Sequence, residues 1–173
     1  VPNKKNEIIA AIADFASVPG RTELISKDPA VIVDFAHTPD GIQKVLSSLA
    51  SRSLIVVMGA GGDRDASKRP IMGQIAATYA KTLIITSDNP RSEEPQKIIE
   101  QIKAGANKAT KGAKIITESD RKKAIALALS LVKKDEIIAI LGKGDEDYQE
   151  INGVKHPFSD AAIVKELLKT KPC

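Results

Sequence analysis

Short apolar runs and longer amphipathic stretches alternate along this chain. The runs at 31–35, 54–58, 82–86, 114–117 and 136–141 are nearly continuous in Val, Ile and Leu, and most are bounded by turn residues. Such runs predict strands buried on both faces, because a strand with one wet face alternates instead. The stretches between them have helical spacing. A helix is expected over 38–50, with Thr38 as its N-cap and Pro39 at its first position. Others follow over 68–80, 95–108 (opening on Glu94-Pro95) and 120–133. Near the end the pattern changes. Two short runs, 148–151 and 154–158, flank Asn152-Gly153, the strongest short hairpin signal. Ser159-Asp160 then caps a last helix that reaches about residue 169. Residues 6–17 also have helical spacing, and Val18-Pro19-Gly20-Arg21 stops that helix.

Strands that alternate with helices imply an α/β fold, with a mostly parallel sheet, helices on both faces and a C-terminal hairpin. The domain is expected to begin near Ile25, with residues 1–24 a tail joined to it. In such sheets ligands bind beyond the carboxyl ends of the strands. Four successive strand ends carry glycine or charge: 34–37, 59–65, 88–91 and 142–146.

Composition narrows the chemistry. The chain has three Phe, two Tyr and no Trp, so the core must be Ile, Val, Leu and Ala. A net charge of +4, scattered along helices and without an aromatic platform, argues against a nucleic-acid partner. It is compatible with a small anionic substrate. The single cysteine, Cys173, allows neither a disulfide framework nor a thiolate metal site, and a cytoplasmic protein is expected. No stretch approaches the roughly 18 apolar residues of a membrane span. The opening Val-Pro-Asn-Lys-Lys-Asn is neither a signal peptide nor an initiator methionine, so the chain reads as part of something longer.

Asp88-Asn89-Pro90-Arg91 follows a strand with an acid, an amide, a rigid turn and a guanidinium. That set can hold a zwitterion, since Arg pairs with a carboxylate and Asp accepts from an ammonium. The plainer reading is a capped strand-to-helix turn. Gly59-Ala60-Gly61-Gly62 resembles a dinucleotide turn but has Arg64 where the third glycine belongs. With Arg64 and Arg69 following, an anion or carboxylate is the expected guest. Gly142-Lys143-Gly144 has neither the spacing nor the Ser or Thr of a P-loop, so the chain carries no triphosphate cradle. His37 is either a structural histidine or, with Asp34, a nucleotide contact. His156 is expected to be solvated. No ligand set suggests zinc, and no nucleophile elbow or triad is present, which disfavours covalent catalysis.

The motifs, in order, resemble those of the Mur ligases. They are Val18 to Arg21, Asp34 to Asp40, Gly61 to Asp65 with Lys68-Arg69-Pro70, Asp88 to Arg91, and Gly142 to Gln149. The set is similar to the C-terminal domain of the diaminopimelate-adding members, from about Asn6 to Leu168. The resemblance implies a Rossmann-like domain of a three-domain cytoplasmic bacterial enzyme, acting as a monomer. The central domain of that enzyme holds the P-loop, Mg2+ and most of the ATP site. Residues 1–24 would be the end of that domain and the hinge, and 25–173 the amino-acid-binding domain. ATP would phosphorylate the carboxylate of UDP-MurNAc-L-Ala-D-Glu, and the amine of meso-diaminopimelate would attack the acyl phosphate. The positions implied for diaminopimelate are Arg64, Asp88, Asn89, Pro90, Arg91, Gly142 and Glu146. Arg21, Asp34 and His37 would lie on the ATP side, with no metal ligand on this chain. The chain alone is expected to be inactive. Two departures stand out: Phe35 replaces a common Tyr, and Asp145 replaces the usual His of the Gly-Lys-Gly-His-Glu motif. A lysine-adding or folylpolyglutamate-type relative, or a freestanding nucleotide-binding module, are the alternatives. Arg91 argues against lysine, and the missing third glycine against a dinucleotide.

Overall fold

Each of the five apolar runs forms a strand, and one further strand precedes them. The computed structural model describes residues 18–110 and 112–170. The helix expected over 6–17, and Cys173, lie outside those residues. In chain order the elements are β1 (Glu23–Lys27), β2 (Ala30–Asp34), α1 (Pro39–Leu49), β3 (Leu54–Met58), α2 (Lys68–Tyr79), β4 (Thr82–Ile85), α3 (Pro95–Ala106), β5 (Lys114–Thr117), α4 (Arg121–Leu131), β6 (Ile137–Leu141), β7 (Tyr148–Ile151), β8 (Val154–Pro157) and α5 (Asp160–Thr170).

Six strands form one sheet in the order β1-β2-β6-β3-β4-β5, and β7 pairs with β8 as a separate hairpin. All neighbours in the sheet are parallel except β1, which runs antiparallel to β2. β1 is the strand the sequence pattern does not reveal. Its residues, Glu-Leu-Ile-Ser-Lys, are only partly covered, and Leu24 is 48% exposed. An edge strand with one neighbour needs no continuous apolar run.

The period-two alternation of the central strands splits the core into two layers. Leu54, Val56 and Met58 of β3 face α1, α2 and α3, with Ile42, Leu46, Met72 and Ile99. Ile55 and Val57 face α4 and α5, with Ile125, Leu129 and Val164. Fully burying each such side chain contributes about 1.5–3 kcal/mol. Gly73 of α2 and Gly105 of α3 let these helices touch backbone to backbone, since a Cβ at either would strike the carbonyl oxygen of Ile102 or Pro70.

Two consequences of this topology shape the site. First, β2, β6, β3 and β4 are consecutive in the sheet, so the loops leaving their carboxyl ends converge. Second, a buried ion pair braces those strand ends. Arg121, at the start of α4, pairs with Asp160, at the start of α5, at 2.7–2.8 Å. Its guanidinium also donates to the carbonyls of Leu141 (3.0 Å) and Ser87 (3.3 Å), at the ends of β6 and β4. Burial works against the charge of Arg121, but Asp160, with Asp88 and Glu146, more than offsets it and the guanidinium is held above its usual range. As a residue at the start of a helix, Asp160 is expected only to cap it. In the structure Ser159 Oγ accepts from the Ala162 N–H (3.3 Å), while Asp160 is the buried counter-ion.

Candidate functional site

The turn after β4 is almost entirely buried from Thr86 to Pro90, and it ends at Arg91 in a left-handed conformation (φ 53°). For a residue with a Cβ that conformation costs about 1–3 kcal/mol, so its surroundings must hold it. Two elements do so. Behind the turn, the Arg91 N–H donates to Glu150 O (3.0 Å) and the Asn152 N–H to Arg91 O (2.7 Å). Gln149 Nε2 donates to Asp88 O (2.6 Å), and the Glu150 N–H to Asn89 Oδ1 (3.0 Å). In front, the Gly62 N–H donates to Asn89 O (2.8 Å). Arg91 Nη1 donates back to Gly62 O (2.7 Å). Any side chain at Gly62 would strike the carbonyl oxygen of Pro90, so the approach of the two loops requires glycine.

A second set of bonds fastens the glycine loop further along. The Asp63 carboxylate accepts from Ser92 Oγ (2.6 Å) and the Ser92 N–H (3.2 Å). The Asp63 N–H donates to Glu93 Oε1 (2.6 Å). Arg69 makes a two-pronged pair with Glu93 at 2.7 and 2.8 Å. The hydrogen bonds from Arg69, and then that from Asp63, hold the Glu93 carboxyl at about 2, so this pair is ionised at neutral pH. Arg69 also donates to Gln101 Oε1 (2.7 Å) and Gly61 O (3.1 Å). This corrects the expectation that Arg69, beside Arg64, offers its charge to a guest: its guanidinium is buried and serves the protein. Arg64 is exposed at the mouth of the site.

These loops enclose a cavity of about 420 Å3. Arg64, Asp88, Asn89, Arg91, Gly142 and Glu146 line it, together with His37. Pro90 stands behind the wall as the rigid link of the turn. A lysine packs behind the acids and the amide of this lining. Lys143 is fully buried, and its Nζ donates to Glu146 Oε2 (2.9 Å) and Asn89 Oδ1 (3.1 Å), with Asp88 Oδ1 at 3.9 Å. Asn89 Nδ2 donates to the same Glu146 oxygen (2.9 Å). Glu146 Oε1 is thereby left without a protein partner among the described residues. Burial pushes the Asp88 carboxyl above the usual carboxylate range, against the pull of Arg121 and Lys143. Gly142 has φ 117°, and a Cβ there would strike Asp88 Oδ2. The arrangement offers a guanidinium and two partly unsatisfied carboxylates to one small volume.

On the β2 side, Asp34 is 5% exposed and accepts three bonds. These come from the Thr22 N–H (2.7 Å), Thr22 Oγ1 (3.1 Å) and the Ala36 N–H (2.7 Å). Its carboxylate therefore fastens the 20–22 segment to the end of β2. Arg21 lies over the Phe35 ring at 4.5 Å, and His37 meets the same ring edge-on at 4.6 Å. His37 Nδ1 lies 2.8 Å from Phe35 O, which leaves Nε2 outward on an exposed ring. Asp145 is exposed, and its backbone packs on Gly20.

A larger cavity, about 850 Å3, opens behind the hairpin and contains none of the expected site residues. The charged groups around it are largely committed: Arg121 to Asp160, Lys122 to Glu166 (2.9 Å), and Asp120 to the Lys123 N–H that it caps (3.1 Å). Among the described residues no group of three or more His, Cys, Asp or Glu could hold a metal ion. Among the same residues, no helix is long and apolar enough to cross a membrane.

Comparison with known proteins adds an independent line. Residues 20–144 match the family described as "Mur ligase, glutamate ligase domain". The chain is 50% identical over 171 residues to the UDP-N-acetylmuramoyl-L-alanyl-D-glutamate--2,6-diaminopimelate ligase of Aquifex aeolicus, covering 96% of this chain and 35% of that protein. The protein of the same name from Helicobacter pylori is 48% identical over 159 residues, covering 92% and 35%. A solved structure of a ligase of that name superposes with a TM-score of 0.81 at 39% identity, covering 94% of this chain and 34% of the other. The chain thus spans about a third of the length of these relatives.

Proposed function

Because this chain belongs to the Mur ligase family, matching its glutamate ligase domain, we propose that it is the amino-acid-selecting part of an ATP-dependent ligase that adds meso-diaminopimelate to UDP-MurNAc-L-Ala-D-Glu. The observation that carries this reading is the charge pattern of the smaller cavity. Arg91 turns a guanidinium toward it, while Glu146 Oε1 and Asp88 supply acceptors. A free distal amino acid head, carboxylate beside ammonium, satisfies both signs at once. Lysine brings an ammonium with no distal carboxylate and would leave the free donors of Arg91 unmet, which disfavours the lysine-adding alternative.

Residues 25–173 would form the amino-acid-binding domain, and 1–24 the end of the preceding ATPase domain and its hinge. The nucleotide and Mg2+ would be held mainly by that preceding domain, since this sequence has no triphosphate cradle. Arg21 and His37, exposed side by side on Phe35, fit the rim of a nucleotide site, and Asp34 fits the part of holding that rim in place. ATP would supply the phosphoryl group that activates the carboxylate of UDP-MurNAc-L-Ala-D-Glu. This chain's share of the catalysis is to fix the amine against it and to exclude misaligned approaches, which is positioning and electrostatics rather than covalent chemistry. Burial already raises the Asp88 carboxyl, and an incoming ammonium favours its ionised form.

The test is phosphate release. A full-length ligase carrying this chain, supplied with ATP, Mg2+ and UDP-MurNAc-L-Ala-D-Glu, should release phosphate steadily only when meso-diaminopimelate is added. The chain by itself should release none under the same conditions. Turnover by the chain alone, or turnover indifferent to the amino acid, would overturn the reading.

A further inference from the structure

We propose that Glu150, on β7, is a positioning residue for amino-acid selection that acts through Arg91. This rests on the reading of the smaller cavity as the site of the incoming amino acid. Glu150 Oε2 lies 3.3 Å from Arg91 Nε. On another edge of the guanidinium, Nη1 donates to Gly62 O (2.7 Å). One Nη1 hydrogen is thereby spent on Gly62, while Glu150 stands beside Nε as a counter-charge. Nη2 keeps no protein partner among the described residues, so the guanidinium retains donors for a carboxylate fork.

The need for such a brace follows from the backbone. Arg91 sits at φ 53°, at the end of a turn, and its side chain has many rotamers. An arginine left to wander loses that freedom when the ligand arrives, whereas one aimed in advance does not. The nearby acids Asp88 and Glu146 are grouped around Lys143, which leaves Glu150 as the carboxylate that pairs with Arg91. The pair is partly covered, with side chains 22% and 25% exposed, so solvent screens it only in part. Its main effect lies in orientation rather than stability.

The bonds of residue 150 that fasten the turn, Arg91 N–H to Glu150 O and Glu150 N–H to Asn89 Oδ1, are made by its backbone. Replacing the side chain therefore keeps the scaffold and removes only the carboxylate. In the full-length ligase, Glu150→Ala should raise KM for meso-diaminopimelate about threefold to tenfold and leave kcat within about twofold. Glu150→Gln, which keeps an acceptor oxygen at the same reach, should recover part of the loss. In an Arg91→Ala background, Glu150→Ala should add nothing, because the interaction it supports is already gone. An unchanged or lowered KM in Glu150→Ala, while Arg91→Ala alone raises it, overturns the inference and leaves the functional reading standing. Additive effects of the two substitutions also overturn it, since they mark a role independent of Arg91. If Arg91→Ala itself leaves KM unchanged, the functional reading falls and the inference with it.

Discussion

Replacing Arg91 with alanine in the full-length ligase is expected to raise KM for meso-diaminopimelate by about 10²–10³-fold, with KM for ATP little changed. The magnitude follows from what is lost. Removing one partner of a buried, hydrogen-bonded charge pair costs about 2–5 kcal/mol, and each 1.4 kcal/mol is about tenfold in affinity. The distal carboxylate would keep only the exposed cations Arg64 and Lys68 of the cavity lining, which are more weakly held. The turn itself should survive, because the residue 91 backbone bonds to Glu150 and Asn152 need no guanidinium. Nucleotide contacts are expected around Arg21 and His37, on the β2 side, which explains the sparing of ATP. Steady-state kinetics with each substrate varied in turn would check both halves. An amino-acid KM within about threefold of wild type would count against the assignment.

The second large effect concerns the platform beneath the site. Asp160→Ala should destabilise this chain by about 3–5 kcal/mol, because it strands the buried guanidinium of Arg121 without a counter-charge. Both side chains are fully covered, and Arg121 also bridges the carbonyls of Ser87 and Leu141. Its loosening would reach the ends of β4 and β6, from which the recognition turn and the Gly142 loop emerge. Urea unfolding monitored by circular dichroism measures the change. Replacing both partners with apolar residues of similar size, Arg121→Met with Asp160→Leu, should recover much of the loss. A loss under about 1 kcal/mol for Asp160→Ala would show that water reaches the pair.

The framework of this fold was legible because its inner strands are covered on both faces. That condition writes itself as unbroken runs such as Leu54 to Met58, with no register to guess. β1 escaped because an edge strand needs no such run, although β5 at the other edge kept one in Ile115-Ile116. The candidate site was legible for a topological reason: glycine and charge fell at four strand ends, and parallel sheets gather ligands there. The supports were not. Lys143 meets Asn89 across 54 residues, and Glu150 meets it across 61, pairings that no local pattern encodes. Arg64 and Arg69 looked equivalent in the sequence, as two cations after a glycine turn. Only the direction in which each side chain leaves the loop and α2 separates the exposed one from the one buried on Glu93. The buried lysine between Gly142 and Gly144 carried the one usable hint. Flanked by two residues without side chains, its chain can turn inward where a bulkier setting would push it out.

On the proposed reading, the cavity selects an amino acid by pairing a distal carboxylate with Arg91 and an ammonium with Glu146 and Asp88. The most direct measurement is the ratio of kcat/KM for meso-diaminopimelate to that for L-lysine in the full-length ligase, at fixed ATP and UDP-MurNAc-L-Ala-D-Glu. A site built to hydrogen-bond a distal carboxylate that the wrong substrate lacks should favour meso-diaminopimelate by roughly 10⁴-fold or more. Comparable values for the two amino acids would contradict it.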